Sequence, residues 1–80
     1  MMIKISSGLL INADNIKFIL AYNSNTSKTI YKAASEKNAL FNLTKGHQCR
    51  SLIVMNDRSV IATDVKVETL QKKFTVEKEN

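Results

Sequence analysis

The chain has 80 residues, a formal net charge of +5 and a pI near 9.6. That length allows one domain, and such a domain buries only about 60% of the surface its unfolded chain exposes. With one cysteine, Cys49, and one histidine, His47, an intrachain disulfide is excluded and a four-ligand metal site is disfavoured; no cofactor is expected.

Self-association is the remaining common route to more burial. The excess positive charge points to a polyanionic partner, with simple solubility as the competing reading. At the N-terminus, residues 1–7 carry one lysine before the apolar run Gly8-Leu9-Leu10-Ile11. That run is too short for a signal-peptide core or a membrane span. With a free cysteine and no export signal, a cytoplasmic location is expected.

Met2-Ile3-Lys4-Ile5 and Leu9-Leu10-Ile11 read as two short strands around a turn at Gly8, one of only two glycines in a chain without proline. Ile16 to Tyr22 is rich in β-branched and aromatic residues and reads as a strand, with Asn15 and Lys17 expected on one side and Ile16 and Phe18 on the other. A helix follows, capped by Asn25, Thr26 or Ser27 and closed at Asn38. Its inward face carries Ile30, Ala33 and Ala34, while Lys28, Lys32 and Glu36 face water. Leu40-Phe41-Asn42-Leu43 is the next strand, and residues 44–48 form a loop around Gly46.

Leu52 to Met55 is apolar at four successive positions, so it should be a central strand buried on both faces. Asn56-Asp57-Arg58 turns the chain, and Ser59 to Thr63 returns as its hairpin partner. A second helix carries Val67, Leu70 and Phe74 on one stripe, with Glu68 near its start and Lys72 and Lys73 near its end, where they suit the helix dipole. Residues 77–80 read as a charged, frayed tail after a single domain over residues 1–76. Strands that do not alternate regularly with helices indicate an α+β fold: a small, mostly antiparallel sheet with two helices.

For catalysis, His47 and Cys49 would share one face of an extended segment, but a Cys–His nucleophile pair also needs a third group to orient the histidine, and any His-x-Cys would show the same signal. The simpler reading is a small hydrophobic cysteine at a strand start, and the chain is expected not to be an enzyme and to take no small-molecule substrate. A phosphate-cradling loop is excluded by the two separated glycines. The second helix, with Lys66, Lys72 and Lys73, fits a basic surface helix for membranes less well than a helix packed on the sheet or on a neighbouring subunit. No membrane partner is expected. Lys45, His47, Gln48 and Arg50 cluster around Gly46, where loop-borne cations and amides can reach phosphates and base edges; an ordinary solvated loop is the competing reading.

The run from Leu40 to Met55, LFNLTKGHQCRSLIVM, resembles the RemA family of bacterial extracellular-matrix regulators. The family's segment reads leucine, an aliphatic, aspartate, alanine, threonine, any residue, glycine, two arginines, threonine, arginine, then an apolar strand. The likeness continues through Asn56 to Ala62 and Val67 to Leu70, and upstream through Ile11 to Ile16 and the helix at Thr29 to Ala34, so it covers roughly Ile3 to Phe74 without a break in register.

The resemblance implies a DNA-binding transcriptional regulator that assembles into a ring-like homo-oligomer with double-stranded DNA around its outside. Repeating a weak basic patch around a ring multiplies modest contacts. The family's paired arginines after the loop glycine are His47 and Gln48 here, its arginine near the third strand is Asn15, and its last loop arginine is kept as Arg50. Lys45 and Arg50 are therefore the expected phosphate contacts and Lys17 the next. Asn15, His47 and Gln48 occupy contact positions with altered chemistry. The alternatives are an oligomeric scaffold or protein-interaction module without DNA binding, and an RNA-binding protein. The latter is disfavoured because most of the few aromatic residues look buried.

Overall fold

Met2–Ser6 (β1) and Leu9–Asn12 (β2) pair antiparallel, with Ile3 opposite Ile11. Alternation turns Ile3, Ile5 and Ile11 inward and leaves Met2 and Leu10 in solvent. Gly8 supplies the left-handed backbone between them, at φ +81°. The computed structural model describes the backbone of residues 1–6 and 8–79, and the side chains of residues 1–5 and 8–74.

Asn12 then caps a single 3-10 turn, Ala13–Asn15, by accepting the Asp14 N–H on its side-chain oxygen at 3.1 Å. Ile16–Ala21 (β3) follows. Its pairing runs Ile16 to Met55 and then Phe18 to Val54, which inserts one extra residue at Lys17. This bulge overturns the simple alternation expected from the sequence. Ile16 packs with Met55 on one face, whereas Phe18 sits beside Val54 on the other, and Asn15 belongs to the preceding turn.

The first helix, Asn25–Glu36 (α1), starts one residue earlier than the expected caps. Ser24 is the N-cap, and Ser27 completes a reciprocal capping box, donating its hydroxyl to the Ser24 carbonyl and accepting the Ser24 N–H. Asn38, at φ +55°, ends the helix as expected, in a Schellman arrangement in which Ala39 N–H bonds the Ala34 carbonyl and Asn38 N–H bonds that of Ser35. Lys28, Lys32 and Glu36 face water, Ala34 is buried and Ile30 half-buried, but Ala33 is exposed.

Leu40–Leu43 (β4), Ser51–Met55 (β5) and Val60–Thr63 (β6) complete a four-stranded sheet in the order β3-β5-β6-β4. Its pairs are antiparallel except β4 with β6, which is parallel. The fold is thus α+β and mostly antiparallel as expected, but with two sheets instead of one. β5 is central, and Leu52 and Ile53 are both fully buried on opposite faces. One face packs Ile53 and Ile61 against the β1–β2 ribbon and the second helix, Val67–Glu79 (α2), whose Leu70 is fully buried and whose Phe74 packs on the same cluster. The other face packs Leu52, Val54, Val60 and Ala62 under α1.

Because α2 runs to Glu79, Lys72 and Lys73 lie in mid-helix, too far from its end to meet the dipole there. Residues 77–79, expected in a frayed tail, continue the helix, and Asn80 lies outside the described residues. No helix among the described residues is long and apolar enough to cross a membrane.

Candidate nucleic-acid interface

The loop from Thr44 to Arg50 carries four of the side chains singled out in the sequence. It leaves β4 at one edge of the sheet, passes over the end of β6 and enters β5. Thr44 is buried, and its hydroxyl and N–H both donate to the Asn42 side-chain oxygen, which fixes the exit from β4. Lys45 and Gly46 then take left-handed angles, φ +57° and +83°, and His47 N–H closes the turn on the Thr44 carbonyl at 2.9 Å. Two successive positive φ values define a type I′ turn. Glycine suits the second position; lysine at the first is unusual and puts its ammonium at the tip of the loop.

Arg50 is anchored differently. Its N–H bonds the Thr63 carbonyl and its own carbonyl accepts from Tyr22 N–H, both at 2.9 Å. The guanidinium therefore projects from backbone fixed between the ends of β3 and β6. Arg50, Lys45, His47 and Gln48 are all exposed. Among the described residues, neither Lys45 nor Arg50 forms a salt bridge.

His47 Nδ1 lies 2.8 Å from Asp64 Oδ2. This contact ties the loop to the segment after β6, and the histidine's hydrogen bond is the largest cause holding the Asp64 carboxyl below its usual range. One imidazole nitrogen is thereby committed, leaving Nε2 to face outward. Cys49 is half-buried against the α1-side cluster; burial pushes its thiol up, so it stays protonated, with Sγ 3.5 Å from the Ser51 carbonyl. With His47 engaged by Asp64 and Cys49 by Ser51, the two groups do not form a hydrogen-bonded nucleophile pair.

Asn15 and Lys17 lie elsewhere. Ile16 pairs with Met55 and Ala21 with Ser51, so these two residues sit at the far end of the sheet from the loop. Four residues of strand separate the ends, about 13 Å. The structure thus brings Lys45, His47, Gln48 and Arg50 together and leaves Asn15 and Lys17 apart. Nothing local in the sequence signals that division, because it is set by strand pairing. The aromatic expectation also fails: Phe18 and Phe41 are exposed, at 42% and 57%, since each sits on an edge strand.

The chain matches, over residues 2–74, the family described as extracellular matrix regulatory protein A-like, or RemA-like. It belongs to the RemA-like family. Among its relatives, a protein of Finegoldia magna is 34% identical over 65 residues, which is 81% of this chain and 78% of that one. One from Bacillus cereus strain AH187 is 30% identical over 96% of this chain and 88% of its own. Another from Trichormus variabilis is 28% identical over 99% and 90%. The Finegoldia and Trichormus proteins share the name "Putative regulatory protein". The RemA-like match takes in every element from β1 through the first turns of α2, so the loop and α1 lie wholly inside it.

Proposed function

We propose that this RemA-like chain is a non-enzymatic cytoplasmic regulator that binds double-stranded DNA as a ring-like homo-oligomer. The reading rests on the Thr44–Arg50 loop. It offers two exposed cations that form no salt bridge among the described residues, one at a turn tip and one on anchored backbone. Such groups bond phosphate oxygens without large ordering cost, because their backbone is already fixed. Gln48 and His47 Nε2 stand between them and add hydrogen bonds to sugar or base edges. The names carried by the relatives agree with a regulatory role.

Arg50 carries the largest share of phosphate contact and Lys45 the next. Lys17, at the far end of the sheet, is too distant to share one phosphate with them.

The test is fluorescence anisotropy with duplex DNA over a salt series. Each phosphate contact adds a slope of about 0.9 in log affinity against log salt. Arg50→Ala is expected to weaken binding and lower that slope by about 0.9 for each copy in contact, with an unchanged circular-dichroism melt. Absence of binding at low salt, in protein shown by sedimentation to be folded and assembled, would instead favour the scaffold reading. That reading draws on His47 and Gln48 standing where the family has arginines.

A further inference from the structure

On the α1 face, a groove of about 490 Å³ lies open between Phe18 of β3, the last turns of α1 and the facing ends of β5 and β6. Phe18, Ile30, Ala34, Val54 and Val60 give it an apolar floor. Three cations border it, each from a different element: Lys17 of β3, Lys37 after α1, and Arg58 from the β5–β6 turn. Among the described residues, none of the three forms a salt bridge. The one carboxylate on the rim, Asp57, accepts the Ser59 N–H at 2.9 Å and hydroxyl at 2.6 Å on the same oxygen, bonds that hold its carboxyl below the usual range and keep it ionised, so the cations outnumber it three to one. At the end of α1 the Ala34 and Ser35 carbonyls are closed by the Schellman bonds.

Arg58 adds a second kind of observation. Its N–H bonds the Met55 carbonyl, Met55 N–H bonds the Ser59 carbonyl, and Arg58 itself has φ +74°. This is a three-residue hairpin loop whose last position ordinarily takes glycine. A side chain there strains the backbone, and here that side chain is a cation placed on the groove's rim.

We propose that the groove binds a small anionic amphiphile, with a carboxylate or phosphate head among Lys17, Lys37 and Arg58 and an apolar body on the Phe18–Val60 floor. Its volume lies within the range of small-molecule sites, about 300–1,000 Å³, and the combination of an apolar floor with a few convergent charges is their usual chemistry. A DNA backbone would meet only the rim, since phosphate and sugar gain nothing from the floor. We assign the ligand an effector's role: the nucleophilic groups in the lining are Lys17, Lys37 and Asp57, the lysines are committed to the head, and no histidine or cysteine stands among them. The site lies outside the Thr44–Arg50 loop, so the proposal stands whether or not that loop binds DNA.

The test uses octanoate, octyl phosphate and the neutral octanamide, titrated calorimetrically into the assembled protein. Hydrogen exchange then maps where each binds. Octanoate or octyl phosphate is expected to bind at least about tenfold more tightly than octanamide, the order of effect of a charge-assisted hydrogen bond. Protection is expected in the first half of β3, the end of α1 and residues 56–60. Arg58→Gly, which suits the turn's backbone, and Lys37→Ala should each weaken binding about tenfold. Ala33→Phe, at an exposed helix position that lines the groove, should abolish it with the fold intact.

Failure of both anions to bind, equal binding of octanamide, or protection centred on residues 44–50 overturns the proposal. So does protection of the groove that grows with protein concentration in the absence of any added ligand, because a second copy would then be its occupant.

Discussion

The two faces of the four-stranded sheet are covered in different ways. The face toward β1, β2 and α2 is filled by branched aliphatic residues, with Ile3, Ile5, Ile53, Ile61 and Leu70 interlocked from three directions. The face under α1 sets one large residue, Leu52, among smaller groups, Ala34, Ala62, Val54 and Val60, with half-buried Tyr22 and Tyr31 packed at 5.5 Å on one side and open space on the other. One face thus concentrates the packing that holds the fold together. The other packs a helix through Ala34, Ile30 and Tyr31, its ends closed by a capping box and a Schellman arrangement, and leaves apolar volume unfilled. Cores are normally packed to crystal-like density, so unfilled volume beside unpaired charge sets the α1 face apart from its counterpart.

Substitutions can break or sharpen this contrast. Leu70→Ala on the first face is expected to cost about 2–5 kcal/mol in urea unfolding, while Val54→Ala on the second should cost about 1–2 kcal/mol. Equal losses would remove the distinction. Ser24→Ala, which takes away the cap holding α1, should cost about 1 kcal/mol, comparable to losing a core methyl group on that face. Arg58→Gly should stabilise the protein by about 0.5–1 kcal/mol, because glycine relieves the positive φ at the groove's rim. A loss instead would mean that the arginine contributes to the fold itself.

The smallest effect concerns pH. The Asp64 carboxyl is held below its usual value of 3.8 chiefly by the His47 hydrogen bond. A depressed carboxylate supports the fold above its unfolded pKa, and that support is lost as pH falls through the lowered value. Carboxyl carbon NMR of His47→Ala should therefore show the Asp64 midpoint moving upward, and the acid-dependent part of the stability should shrink as the folded value approaches the unfolded one.

Much of this architecture was legible residue by residue. Four apolar positions in a row from Leu52 to Met55 mark a strand covered on both faces, and β5 is that strand. Leu70 and Phe74 fall on the buried stripe of α2 as their spacing requires. Asn38 ends α1 because asparagine tolerates the left-handed angle. The bulge at Lys17 was not legible, since one extra residue changes which face Phe18 meets without altering composition. Nor was the parallel β4–β6 pair, which depends on residues about twenty apart in the chain. The candidate site suffered from the same blindness. Its loop members are neighbours in sequence and in space, but Asn15 and Lys17 are separated from them by strand order. Lys37 and Arg58 share a groove that only the folded sheet creates.

The position of β4 also has a consequence for how the protein reaches its native state. β4 lies beside β6, and β5 comes between them in the chain, so the edge strand has no partner until the β5–β6 hairpin exists. The hairpin is local, whereas β4 must return across a longer span to join it. During synthesis, the Thr44–Arg50 loop therefore leaves the ribosome well before the strand end it crosses. The cationic surface takes its shape only once β6 is in place beside β4, and a chain whose β4 has peeled away would keep its central hairpin while losing that surface.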